Sequence, residues 1–213
     1  MTNLLNSTEN IIFDLDGTLW DPMDMSVKAW HTVLNGATYI KDPITEEDIK
    51  GILGMQHNLV GEKLFPYLPK EQQDSVMESC YRAEVQRIKE FGALLYPFLE
   101  DTLKSLYQKY GLYIVSNCQA GYIEAFYGFH GLGHYFKDFE CSGNTGKSKA
   151  ENIALLIKRN NIKNSLYIGD TLGDYLAAQA NAIPFIFADY GFGEVPNAQF
   201  TIGKIGDLNS MEY

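Results

Sequence analysis

Several polar positions of this 213-residue chain, far apart in sequence, are of types that could do phosphate chemistry together. Asp14 and Asp16 flank one leucine in "NIIFDLDGT" (10–18), Ser116 and Asn117 follow a second apolar run, and Asp170 and Asp174 lie in "GDTLGD" (169–174). Two acids at the end of a stretch bound for a core are costly unless something compensates their charge. A carboxylate can attack phosphorus, dividing one hard displacement into two easier ones. The repulsion between carboxylate and phosphate must then be offset by positive charge and hydrogen-bond donors. Mg²⁺ suits this, because it takes oxygen ligands and bridges carboxylates to a phosphate oxygen. Asp14 and Asp170 qualify as its ligands, Lys147 as the cation that neutralises phosphate, and the Ser116 hydroxyl as a donor to a phosphate oxygen. Asp16 is placed to protonate a leaving alkoxide and later to activate water. Gly17 allows a sharp turn close to ligand, and Thr18 can orient Asp16 or the phosphate.

The elements that must position these residues follow from the apolar pattern. Strand-type runs occur at 11–13, 112–116, 136–142, 165–169 and 184–188, most of them continuous, as strands covered on both faces should be. Helical spacing marks 99–110, 119–130, 148–161 and 173–181. The alternation predicts a parallel α/β sheet whose ligands bind beyond the carboxyl ends of the strands, where the polar residues collect. Nearly a hundred residues separate the first two runs, far more than a crossover needs. Residues 19–92 hold helical candidates at 26–35, 45–53, 57–65 and 70–91 and no convincing strand. An all-helical cap inserted after the first strand is therefore expected, with the α/β core formed by 1–18 and 93–213.

Composition narrows the function. The chain is 46% hydrophobic and 21% charged, with 14 Tyr and 12 Phe, which points to a folded globular protein. A net charge of −10 disfavours sequence-independent binding to nucleic acid or to an anionic membrane surface, since both need clustered Lys and Arg. Three cysteines without CxxC spacing suggest reduced thiols. The N-terminal stretch lacks the features of a secretory signal, and no run approaches membrane-spanning length. A cytoplasmic protein, monomer or homodimer, is the expectation.

"FDLDGTL", "SN" at 116–117, a downstream lysine and "GDTLGD", in that order, resemble the four motifs of the haloacid dehalogenase superfamily, in its phosphatase branch. The insertion resembles the helical cap of phosphoglycolate phosphatase-like members. The resemblance implies a Rossmann-like core, Mg²⁺ as cofactor, a small phosphorylated metabolite as substrate, and a mobile cap hinged near 18–22 and 90–97. It further implies Asp14 as nucleophile, Asp16 as acid and base, and a metal held by Asp14, the Asp16 carbonyl and Asp170. Thr18, Ser116, Asn117 and Lys147 would bind phosphate, with Asp174 in support. Where relatives often carry Lys-Pro-x-Pro, this chain reads "GKSKAEN", with Ser148 and Ala150 at the proline positions. That register selects Lys147, with Lys149 as the alternative.

Competing readings use the same residues. "GKS" would suit a nucleotide-binding loop, but the glycine that motif needs at position 141 is Cys141. A phosphomutase of the β-phosphoglucomutase type would share all the core motifs, and a signalling module phosphorylated on Asp14 would share the acids, hydroxyl and lysine. A dehalogenase would not need Asp16. In the inserted lobe Gln56 and His57 are the best candidates for substrate contact, ahead of Lys63, Arg82 and Arg87. Trp20, Trp30, Tyr122, Phe126 and Cys118 are assigned to packing.

Overall fold

The continuous apolar runs become the interior strands of a six-stranded parallel sheet in the computed structural model, which describes residues 7–41 and 43–210, the side chain of Ser210 excepted. Among the described residues the order opens with β1 (Asn10–Phe13) and β2 (Trp20–Asp21), then four helices: α1 (Met23–Leu34), α2 (Glu46–Lys50), α3 (His57–Leu64) and α4 (Lys70–Phe91). It continues through β3 (Leu94–Leu95), α5 (Leu99–Leu106), β4 (Gly111–Ser116), α6 (Tyr122–His130), β5 (Phe136–Cys141) and α7 (Ser142–Thr145). The remainder is α8 (Lys149–Asn160), β6 (Ser165–Gly169), α9 (Leu172–Ala180), β7 (Phe185–Ala188), β8 (Thr201–Ile202) and α10 (Asp207–Ser210).

The strand order is β5-β4-β1-β6-β7-β8, so β1 is central and the chain leaves it first to one side and then to the other. Phe13 is paired with Ile114 of β4 and Ile168 of β6, which brings the carboxyl ends of three strands side by side. Alternation along the strands feeds two cores. Ile11, Phe13, Ile114 and Ile168 pack with Leu103 and Phe126 on one face. Ile12, Tyr113, Val115 and Tyr167 pack with Ile153 and Ala178 on the other. The prediction of an α/β parallel sheet with helices on both faces is met.

The helices between β2 and β3 carry a separate apolar cluster that includes Trp30, Ile49, Val60, Phe65, Val76 and Cys80. Leu19, Trp20, Met25 and Ile88 join the sheet's core instead, and the far end of α4 packs along α6. Helices over most of 19–92 were predicted, but a strand was not. Trp20 pairs with Leu95 and Asp21 with Leu94 in an antiparallel ribbon that ties the two passages between lobe and sheet. A two-residue ladder is too short to show as alternation. α4 stops at Gly92 (φ +63°), where a Cβ would stand 2.2 Å from the Phe129 ring, so both the dihedral and the space require glycine.

Candidate active site

The sheet's central carboxyl edge assembles the expected acids. Asp14 continues β1, its N–H donating to the Ile168 carbonyl at 2.8 Å, and the residue is 2% exposed. Asp170, following β6, is fully buried; its Oδ2 accepts from Phe192 N–H (2.7 Å) and its Oδ1 from the Thr18 hydroxyl (3.5 Å). The backbone closes tightly around this carboxylate. A Cβ on Gly17, whose φ is +77°, would lie 2.1 Å from Asp170 Oδ2, so this turn too requires glycine.

The lysine in this cluster is Lys149, which corrects the choice of Lys147. Lys149 is 5% exposed, its Nζ 2.9 Å from Asp14 Oδ1 and hydrogen-bonded to Asp174 Oδ1. Lys147 is exposed, and its carbonyl accepts from Ser142 and Asn152. The reason lies in where α8 begins. Ser148 caps the helix, accepting from Glu151 N–H while Glu151 reaches back, so Lys149 is the first helical residue and Lys147 stays in the turn outside. Side chains lean toward a helix's N-terminus, which carries Lys149 to the strand edge. Asp174 supports Lys149 from α9. Its Oδ2 also accepts from Thr171 N–H (2.9 Å) and hydroxyl (2.6 Å), a reciprocal cap that sets its rotamer.

Asp16 is oriented by two aromatic side chains assigned to packing from the sequence. Trp20 Nε1 (2.6 Å) and the Tyr122 hydroxyl (3.0 Å) both donate to its Oδ1. Burial, opposed mainly by the Trp20 hydrogen bond, pushes the carboxyl up to about 7. Burial and the nearby Asp174 push Asp14 up to about 7 against the opposing pull of Lys149. Asp170 is raised to about 8, first by burial and then by Asp14 and Asp174. Burial opposes the charge on Lys149, but attraction to Asp14 and Asp174 together with hydrogen bonding holds its ammonium well above the ordinary range.

These groups fit a hard divalent cation. Carboxylate oxygens of Asp14, Asp170 and Asp174 lie within 4.8 Å of one another, and one lysine faces three buried acids. Asp14 Oδ1, although near Lys149, accepts no hydrogen bond. Asp174 is occupied by Lys149 and Thr171, so Asp14 and Asp170 are the acids with lone pairs left to offer a cation.

The other expected positions divide. Ser116 is buried and lines the same cavity as Asp14, Asp16 and Lys149. The Asn117 side chain, from a residue that also lines this cavity, donates to the Gly54 carbonyl (2.8 Å) and accepts from Ser142 (3.1 Å), binding the helical lobe to the sheet. Thr18 turns to Asp170. His57 lines the cavity, and its N–H donates to the Asn117 carbonyl at 3.3 Å; Gln56 is not part of that wall. Cys118 packs as expected, buried and pushed up by burial. The roof holds Glu84, bonded to Ser26 and, at 2.7 Å, to Gln119. It went unnoticed in the sequence because a glutamate on a long charged helix reads as a surface residue.

A buried acid pair, a second acid cluster with its lysine and a helical roof at the switch point of a parallel sheet describe an α/β hydrolytic enzyme. The family model for haloacid dehalogenase-like hydrolases matches residues 11–188. A phosphoglycolate phosphatase of Agrobacterium fabrum is 28% identical over 198 residues, covering 87% of this chain and 82% of its own length. That of Photobacterium profundum is 27% identical over 193 residues, with coverages of 85% and 83%. A crystal structure of a predicted phosphoglycolate phosphatase from Haemophilus somnus superposes with a TM-score of 0.85 at 17% identity, covering 97% of this chain and 99% of that one. A predicted phosphatase from Clostridium acetobutylicum gives 0.82 at 21%, with coverages of 95% and 97%. The chain belongs to the haloacid dehalogenase-like hydrolase family. No described helix is long and apolar enough to cross a membrane.

Proposed function

We propose that the protein is a Mg²⁺-dependent phosphatase that hydrolyses a small phosphomonoester through an aspartyl-phosphate on Asp14. The observation that carries this reading is the buried Asp14 carboxylate, 2.9 Å from the Lys149 ammonium and within 4.8 Å of Asp170, with the raised Asp16 carboxyl lining the same cavity. Asp14 forms the new bond to phosphorus as the bond from phosphorus to the ester oxygen breaks. The Asp16 proton goes to that oxygen, and the alcohol leaves. Water then attacks phosphorus, Asp16 takes its proton back, and the bond to Asp14 breaks to release phosphate.

Lys149 and Ser116 offset the charge of the transferring group, and Asp174 and Ser148 position Lys149. Asp14, Asp170 and the Asp16 carbonyl would hold Mg²⁺, which supplies charge neutralisation at the phosphate oxygens. In this reading the helices between β2 and β3 are the cap, and the β2–β3 ribbon is its hinge.

The test is release of phosphate from small phosphomonoesters, phosphoglycolate among them because the relatives carry its name, with Mg²⁺ and with chelator. Chelation should abolish turnover. Asp14→Asn should lose at least about 10³-fold in kcat, and Asp16→Asn about 10²–10⁴-fold. Undiminished activity of Asp14→Asn would exclude the nucleophile.

A further inference from the structure

We infer that the alcohol part of the substrate carries a free hydroxyl and no carboxylate, and that Glu84 with Trp30 selects it. This rests on the phosphomonoesterase reading above. Beyond the reacting groups, the cavity runs up to Ser26, Trp30, Tyr81, Glu84 and His57 of the helical lobe. Its charges are unequal. Among the described residues lining it, Lys149 is the only lysine or arginine, and that ammonium is engaged by Asp14 and Asp174.

Burial lowers His57, which keeps its ring uncharged near neutrality. Arg87 lies outside this wall, over the Phe91 ring, and Lys63 bonds the Gly51 carbonyl. Glu84, 6% exposed, therefore shares this chamber with the Asp16 carboxyl and with no free lysine or arginine among the described lining residues.

A carboxylate in this chamber would leave water beside two acid side chains and find no free cation to compensate it, which is costly. The donor and acceptor pattern selects further. Glu84 has one bond on each oxygen, from Ser26 and from Gln119, which leaves acceptor capacity on both. The Trp30 indole N–H, 3% exposed, lies near that carboxylate without a hydrogen bond of proper geometry to any partner. A buried donor without a partner is costly. A hydroxyl answers both groups at once, accepting from Trp30 and donating to Glu84. An ammonium can only donate, and an alkyl group does neither.

The test compares kcat/KM for glycerol phosphate, phosphoglycolate, phosphoethanolamine and propyl phosphate with Mg²⁺ present. Glycerol phosphate should exceed each of the others by at least about tenfold, the order of selectivity that one satisfied buried polar group supplies. In Glu84→Gln the disadvantage of phosphoglycolate relative to glycerol phosphate should shrink by about tenfold, whereas a glutamate with only a structural role would leave that ratio unmoved. Trp30→Phe, which keeps the ring and loses the N–H, should narrow the gap between glycerol phosphate and propyl phosphate, and serves if Glu84→Gln does not fold. Preference of the wild type for phosphoglycolate, phosphoethanolamine or propyl phosphate would overturn the inference and leave the phosphatase reading standing. Turnover of none of the four, nor of an aryl phosphate, would overturn the phosphatase reading itself.

Discussion

Two lysines two residues apart have opposite fates, and the difference is measurable. Lys149 neutralises part of a buried cluster of three acids, so Lys149→Met leaves those acids facing each other and should cost about 3–5 kcal/mol in stability as well as activity. Lys147→Ala should change neither, because the side chain is exposed and only its carbonyl is used. Thermal melts and phosphate release on both variants check this. Glu84 offers a pH test. Burial raises it above its ordinary 4.5, so between that value and its folded value the native state binds the proton more than the unfolded chain does. Stability therefore falls as pH rises through that window. The Tm advantage of Glu84→Gln over wild type should grow from acidic toward neutral pH, and a constant difference would contradict the assignment.

Element ends decide where these side chains arrive. The first residue of α8 enters the site because Ser148 and Glu151 close a capping box immediately before it, and α9 delivers Asp174 by the same device at Thr171. Ser148→Ala should lose about 1 kcal/mol and lower kcat through misplacement of Lys149, with a smaller effect on KM. At the other boundary of the lobe, Gly92→Ala forces both a positive φ and a clash with Phe129, and should destabilise by about 1–3 kcal/mol in a urea titration. These ends were only partly legible. Helix bodies follow from periodicity, and the predicted 70–91 agrees with α4. The β2–β3 and β8 pairings, two residues each, leave no periodic trace.

At the scale of the whole molecule, apolar packing through Ile88 and along α6 joins the lobe to the sheet, together with a few polar bonds among the described residues. His57 and Gly54 meet Asn117, and Glu84 meets Gln119, while the β2–β3 ribbon joins the two crossings. On the reaction proposed above, the lobe should open and close, because water must be excluded during transfer to Asp14 and admitted afterwards. Small-angle scattering should show a smaller radius of gyration with Mg²⁺ and a phosphate analogue than without. An unchanged radius would contradict a moving cap.

The sheet, the run of helices between β2 and β3 and the acids at the strand ends were legible because each is local. Continuous apolar runs mark buried strands, a long gap marks an insertion, and Asp14, Asp16 and Asp170 follow directly on strands whose order the alternation implies. What the tertiary structure alone decided depends on contacts between distant segments. Lys149 rather than Lys147, Trp20 and Tyr122 on Asp16, Asn117 turned to the lobe, and Glu84 in the roof are all set by which groups share a buried volume. Residue type and spacing are blind to that volume, since a charge on a helix reads the same whether it faces water or an active site.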